Sequence, residues 1–70
     1  MKIKLAIGYE GDAILLSDHG LTKATADRVR EDLDLNPGSF SMTPGIYEFD
    51  LCIEGDNVDY KNSRVIYLAG

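Results

Sequence analysis

Ile3, Leu5, Ile7 and Tyr9 alternate with Lys2, Lys4, Ala6 and Gly8 along the opening stretch KIKLAIGY. Period two marks a strand with one buried face, so residues 2–9 are expected as a first strand. EGD follows at 10–12, and Gly11-Asp12 suits the central pair of a tight hairpin turn. Residues 13–17, AILLS, then return as a second strand. Its inward face is either Ile14 and Leu16 or Ala13 and Leu15; alternation does not decide between them.

The period changes after Asp18-His19-Gly20. Leu21, Thr25, Val29 and Leu33 recur every four residues, with Ala26 beside them. That is the narrow apolar stripe of a helix packed on one side and solvated on the other. The Thr22 hydroxyl can cap its first turn, and Pro37 requires it to end by the residue before.

Residues 36–45, NPGSFSMTPG, are bracketed by two Pro-Gly turn dipeptides. Phe40 and Met42 alternate with serines there, a pattern that allows a short extra strand. Ile46 to Glu54 is the clearest strand in the chain. Tyr47, Phe49, Leu51 and Ile53 point one way, and Ile46, Glu48, Asp50, Cys52 and Glu54 the other. The second EGD, at 54–56, ends it. A loop through Asn57 and Asn62 follows, within which Val58 and Tyr60 can pair. Residues 64–69, RVIYLA, are nearly unbroken in apolar character. A final strand at the centre of the sheet, covered on both faces, is expected from that run.

The order strand-strand-helix-strand-strand makes a single α+β domain over residues 1–70. One helix must pack on one face of a four-stranded sheet, because no other element can cover it. In element order this resembles the β-grasp (ubiquitin-like) arrangement. The end Leu68-Ala69-Gly70 lacks the paired glycine of a conjugated modifier, so conjugation is not implied.

Size limits what such a domain can do. A chain of 70 residues buries only about 60% of the surface its unfolded form exposes. Cys52 is the only cysteine, so no disulfide staples the monomer, and a lone thiol fits a reducing, cytoplasmic setting. His19 and Cys52 cannot supply the four ligands of a structural zinc. Packing, a homodimer or a bound partner must supply the stability instead. No run reaches the roughly 20 apolar residues that span a bilayer. Glu10 and Asp12 also interrupt the apolar start too early for a signal peptide.

Charge narrows the partners. Twelve acids against seven bases give a net charge of −5. That argues against direct binding of nucleic acid or an anionic membrane, both of which need clustered Lys and Arg. It suits a partner protein with a basic surface. Five acids and no base lie between Ile46 and Tyr60. Glu48, Asp50 and Glu54 share one strand face, where alternate residues are spaced by about 6.6 Å. Phosphates along one nucleic-acid strand rise about 3.4 Å each, so such a row matches them in scale. A second cluster, Glu31, Asp32 and Asp34, opposes the dipole at the helix end. Arg28 can reach Asp32, and Arg30 can reach Asp34, at i,i+4. Phe40 and Met42 are either partner anchors or closers of the small core.

The two EGD copies are read as turns, since Gly supplies φ freedom and Asp favours local side-chain hydrogen bonds. Neither has the twelve-residue ligand spacing of an EF-hand calcium loop. Asp18, His19 and Cys52 contain the residue types of a thiol catalytic set. Cys52, however, lies among Glu48, Asp50 and Glu54, a field that favours the unreactive neutral thiol. No glycine-rich phosphate loop is present. No catalytic, cofactor or metal site is expected, and the chain does not read as an enzyme.

The expected function is therefore that of a small acidic protein-binding regulator or inhibitor. Its partner-binding residues are Glu48, Asp50, Glu54, Glu31, Asp32, Asp34, Phe40 and Met42. In size and charge it is similar to small phage-encoded anti-defence proteins, including inhibitors of CRISPR complexes. That likeness implies a nucleic-acid mimic that competes for a basic site. The alternative is a structural or assembly subunit that self-associates through sheet edges and the 36–45 loop.

Overall fold

The computed structural model describes residues 1–69. Strands β1 (Lys2–Ile7) and β2 (Ala13–Leu15) precede helix α1 (Lys23–Leu35), and β3 (Gly45–Glu54) and β4 (Asn57–Leu68) follow it. The four strands form one antiparallel sheet in the order β2-β1-β3-β4. β2 and β3 both run opposite to β1 and therefore parallel to each other. Parallel strands need a long crossover, and α1 supplies it. The expected α+β domain of four strands and one helix is thus the observed one.

The helix begins where Thr22 accepts the Thr25 amide at 3.1 Å. It ends at Leu35, and the Asn36 amide still bonds to the Asp32 carbonyl at 3.2 Å. Ala26, Val29 and Leu33 are its buried residues, as the four-residue stripe requires. They meet Ile3, Leu5, Ile7, Leu15, Tyr47, Phe49 and Leu51 from the sheet. Register settles the inward face of β2: Leu15 pairs with Leu5 and Ala13 with Ile7, so Ile14 is left to solvent. The one polar tip in the core, the Tyr47 hydroxyl, donates to the Thr43 carbonyl at 2.6 Å. No buried side-chain nitrogen or oxygen among the described residues lacks a partner.

Several boundaries differ from expectation. The first hairpin closes with the Gly8 amide on the Asp12 carbonyl at 2.9 Å, so Tyr9 and Glu10 hold its tip. Gly11 follows at φ 80°, in the left-handed region that glycine enters most readily. In the second hairpin Glu54 pairs with Asn57, leaving Gly55-Asp56 as a two-residue turn with Gly55 at φ 59°. A glycine at the first central position is what such a turn asks for. No strand forms between Asn36 and Pro44.

β4 is the main correction. It takes in Asn57 to Asn62 as well as the apolar run, because Val58 pairs with Ile53, Tyr60 with Leu51 and Lys61 with Asp50. The polar residues there reflect a face turned to water, not a loop. Two register shifts let the long strand coil. Asn62-Ser63 stand opposite Phe49, with Asn62 at φ 53°, and Ile66 is extra between Val65 and Tyr67. β4 lies at the edge of the sheet, not at its centre, and Val65 to Leu68 are exposed. An apolar run has the same pattern in either place.

Candidate functional site

Antiparallel register places the acids of β3 among bases. Glu48 lies opposite Lys4 on one side and Arg64 on the other, and Asp50 opposite Lys2 and Lys61. Lys2 Nζ donates to Asp50 Oδ1 at 3.0 Å, and Asn62 Nδ2 donates to Asp50 Oδ2 at 2.9 Å. Arg64 stands 3.3 Å from Glu48 Oε1, and Lys2 stands 3.9 Å from the same atom. Hydrogen bonds from Asn62 and then Lys2 hold the Asp50 carboxyl below the usual carboxylate range. This outer face carries Glu48, Asp50, Glu54 and Asp59 and the bases Lys2, Lys4, Lys61 and Arg64, with Glu54 opposite Asn57 and Asp59 opposite Cys52. Its charges balance.

The excess of −5 therefore lies on the helix side and in the turns. Glu10, Asp12, Asp18, Asp27, Glu31, Asp32, Asp34 and Asp56 stand there against Lys23, Arg28 and Arg30. The i,i+4 pairs expected on α1 do not form. Arg30 reaches Asp18 at 3.6 Å and Asp27 at 3.7 Å instead of Asp34, and no ion pair joins Arg28 to Asp32. Asp32 has other partners: Tyr60 Oη donates to its Oδ2 at 2.9 Å, and Asn36 Nδ2 to its Oδ1 at 3.3 Å. The cost of an acid near a helix C-terminus is offset by hydrogen bonds, not by a base.

Around Asp32 the end of α1, the 36–42 segment and β4 border an open cleft of about 630 Å³. Aromatic rings line it. Phe40 lies 5.6 Å from Tyr60 and 5.9 Å from Phe49, centroid to centroid, and Phe49 lies 6.1 Å from Tyr60. These tilted contacts are the preferred geometry for aromatic pairs. Met42 and Val58 add apolar lining, and Asp59, Ser39, Ser41, Asn62 and Ser63 form a polar rim. Across Asp32 and Val58 a second depression is lined by Arg28, Glu31, Leu35 and Asp56. Burial, with the hydrogen bond to Asp32 and its charge, pushes the Tyr60 phenol well above the usual tyrosine range.

Of the residues singled out from the sequence, Asp32, Phe40 and Met42 converge here with Glu31 nearby. Glu48 and Asp50 lie on the opposite face of the sheet, and Asp34 lies with Ala13 to Leu15 on the β2 side of α1. Phe40 and Met42 are half-buried against the core, so they close it and line the cleft at once. Tyr60 and Phe49 were missed as site residues. The i,i+2 spacing of Val58 and Tyr60 was the available hint that they share a face.

The EGD turn at 10–12 helps build this cleft. The Phe40 amide donates to the Gly11 carbonyl at 3.2 Å and fastens the 36–42 segment to the first hairpin. A side chain at Gly11 would run into the Phe40 carbonyl and Gly38. Asp18, His19 and Cys52 are not assembled. Asp18 pairs with Arg30, and His19 lies beside Lys2, Lys4 and Glu48. The Cys52 thiol has Glu54 Oε1 at 3.9 Å as its partner. No group of three or more metal-ligating side chains occurs among the described residues. No helix is long and apolar enough to cross a membrane. Comparison with protein-family models, with curated proteins and with solved structures gives no match.

Proposed function

We propose that this chain is a small protein-binding regulator that works by contact and performs no catalysis. Its cleft takes a basic segment of a partner protein. The observation that supports this is the convergence of Phe40, Phe49 and Tyr60 with Asp32, beside Glu31 and Asp56. The apolar stem of a lysine or arginine packs on such rings while its charged head meets the carboxylates. Where the partner uses that basic segment to hold nucleic acid, binding here makes the chain a competitor and an inhibitor of the anti-defence type. Glu48 and Asp50 contribute less to the contact, because Lys2, Arg64 and Asn62 already occupy them.

The test is a fluorescence-polarisation titration with a labelled Arg/Lys-rich peptide at low and high salt. Binding should weaken as salt screens the charges. The double variant Glu31→Lys, Asp56→Lys should lose it, while Glu48→Gln should leave it unchanged. Equal binding by the double variant, or loss in Glu48→Gln alone, would overturn the cleft as the contact surface.

A further inference from the structure

β4 is the long free edge of the sheet. Its twelve residues pair with β3 on one side, and no strand among the described residues lies on the other. Such an edge presents a row of unpaired backbone donors and acceptors. The other edge, β2, is protected by being three residues long. Along β4 the charged residues Asp59, Lys61 and Arg64 and the bulge at Asn62-Ser63 guard only the part nearer the Gly55-Asp56 turn. Val65, Ile66, Tyr67, Leu68 and Ala69 carry neither a charge nor a proline. Val65 is 53%, Ile66 43%, Tyr67 59% and Leu68 49% exposed. α1 does not shield them, because it packs closest to β2 at the opposite edge.

We infer that the 65–68 segment of β4 pairs antiparallel with the same segment of a second copy, joining two sheets into one across a two-fold axis. Three observations select a second copy. A two-fold places the same segment on both sides, so one contact satisfies both open edges and closes the assembly at two. The segment is neutral in a chain of charge −5, so it is where two copies meet with least repulsion. It also lies at the end of β4 away from Asp56 and Asp59, which antiparallel pairing sends to opposite ends of the dimer. A charged partner finds nothing complementary there. The bulge at Ile66 keeps the paired run short, so the contact rests on the side chains of Val65, Tyr67 and Leu68 as well as on the backbone. This pairing is independent of the cleft and leaves it open.

Sedimentation equilibrium over a wide concentration range tests the pairing. The expected species are monomer and dimer only, with a dissociation constant that does not rise when salt is added. Tyr67→Lys and Val65→Lys should each weaken the dimer by roughly tenfold or more, since each inserts an unpaired charge into the contact. Far-UV circular dichroism checks that the variants fold. The wild-type chain gives a second readout: amide exchange at residues 65–68 should slow as concentration rises. A monomer at every concentration, an open-ended series of larger species, or a folded Tyr67→Lys chain that still dimerises would each overturn the inference. So would exchange at 65–68 that does not depend on concentration.

Discussion

The Tyr60 hydroxyl donates to Asp32 Oδ2 at 2.9 Å and so ties β4 to α1 across 28 residues of sequence. It holds together the two walls of the cleft that no backbone pairing connects. Tyr60→Phe removes the bond and keeps the ring on Phe40. We expect a loss of about 1.5–3 kcal/mol, the ordinary net worth of a hydrogen bond to a charged group, by urea unfolding. The same phenol sets an alkaline limit. Tyr60 titrates higher in the folded chain than in the unfolded one, mainly through burial. Its contribution to stability is therefore complete below the unfolded value of about 10 and declines as pH rises towards the folded value. Wild-type stability should fall with pH above that point, and more steeply than that of Tyr60→Phe. Parallel pH profiles would rule the assignment out.

Asn62 has two roles at one position. Its backbone sits at φ 53° in the bulge opposite Phe49, and its side chain donates to Asp50. Asn62→Gly removes the side-chain bond but also relieves the strain of a Cβ at this left-handed position. Asn62→Ala loses the bond and keeps that Cβ without the polar side chain that lets Asn tolerate it, so it should be about 1 kcal/mol less stable than Asn62→Gly. Chemical denaturation of the two variants should show that gap. In both, the Asp50 carboxyl should titrate higher, nearer its ordinary range, when followed by carboxyl NMR. The depressed value in the folded wild type means that Asp50 contributes stability above its unfolded pKa and loses it as pH falls through the folded one. Both variants should therefore lose less stability on acidification than wild type does.

Gly11 tests whether the first hairpin supports the cleft. Its φ of 80° and its contact with Phe40 both exclude a side chain. Gly11→Ala should destabilise the domain by about 2 kcal/mol, the scale of a strained left-handed residue. It should also weaken peptide binding by displacing Phe40. Gly55 also has a positive φ but nothing near its missing Cβ. Gly55→Ala should cost stability without changing binding per folded molecule. Equal binding losses in the two variants would sink the idea that Gly11 positions Phe40.

What the sequence determined was whatever depends on neighbours along the chain. The helix was legible because Leu21, Val29 and Leu33 recur at its period and Thr22 and Pro37 bracket it. β1 and β3 were legible because Ile3 to Ile7 and Tyr47 to Ile53 alternate. Both EGD turns follow from one glycine able to take positive φ. What only the tertiary structure decided was whatever depends on register between distant strands. Lys2 neutralises Asp50 from 48 residues away, so a row of acids in the sequence became part of a balanced ladder. Asp32, Phe40 and Tyr60 became one site only when α1 and β4 came together. The run at 64–69 specifies an apolar strand but not how many neighbours it has. Alternation records which face of a strand meets the core; it contains no information about which strands lie beside it.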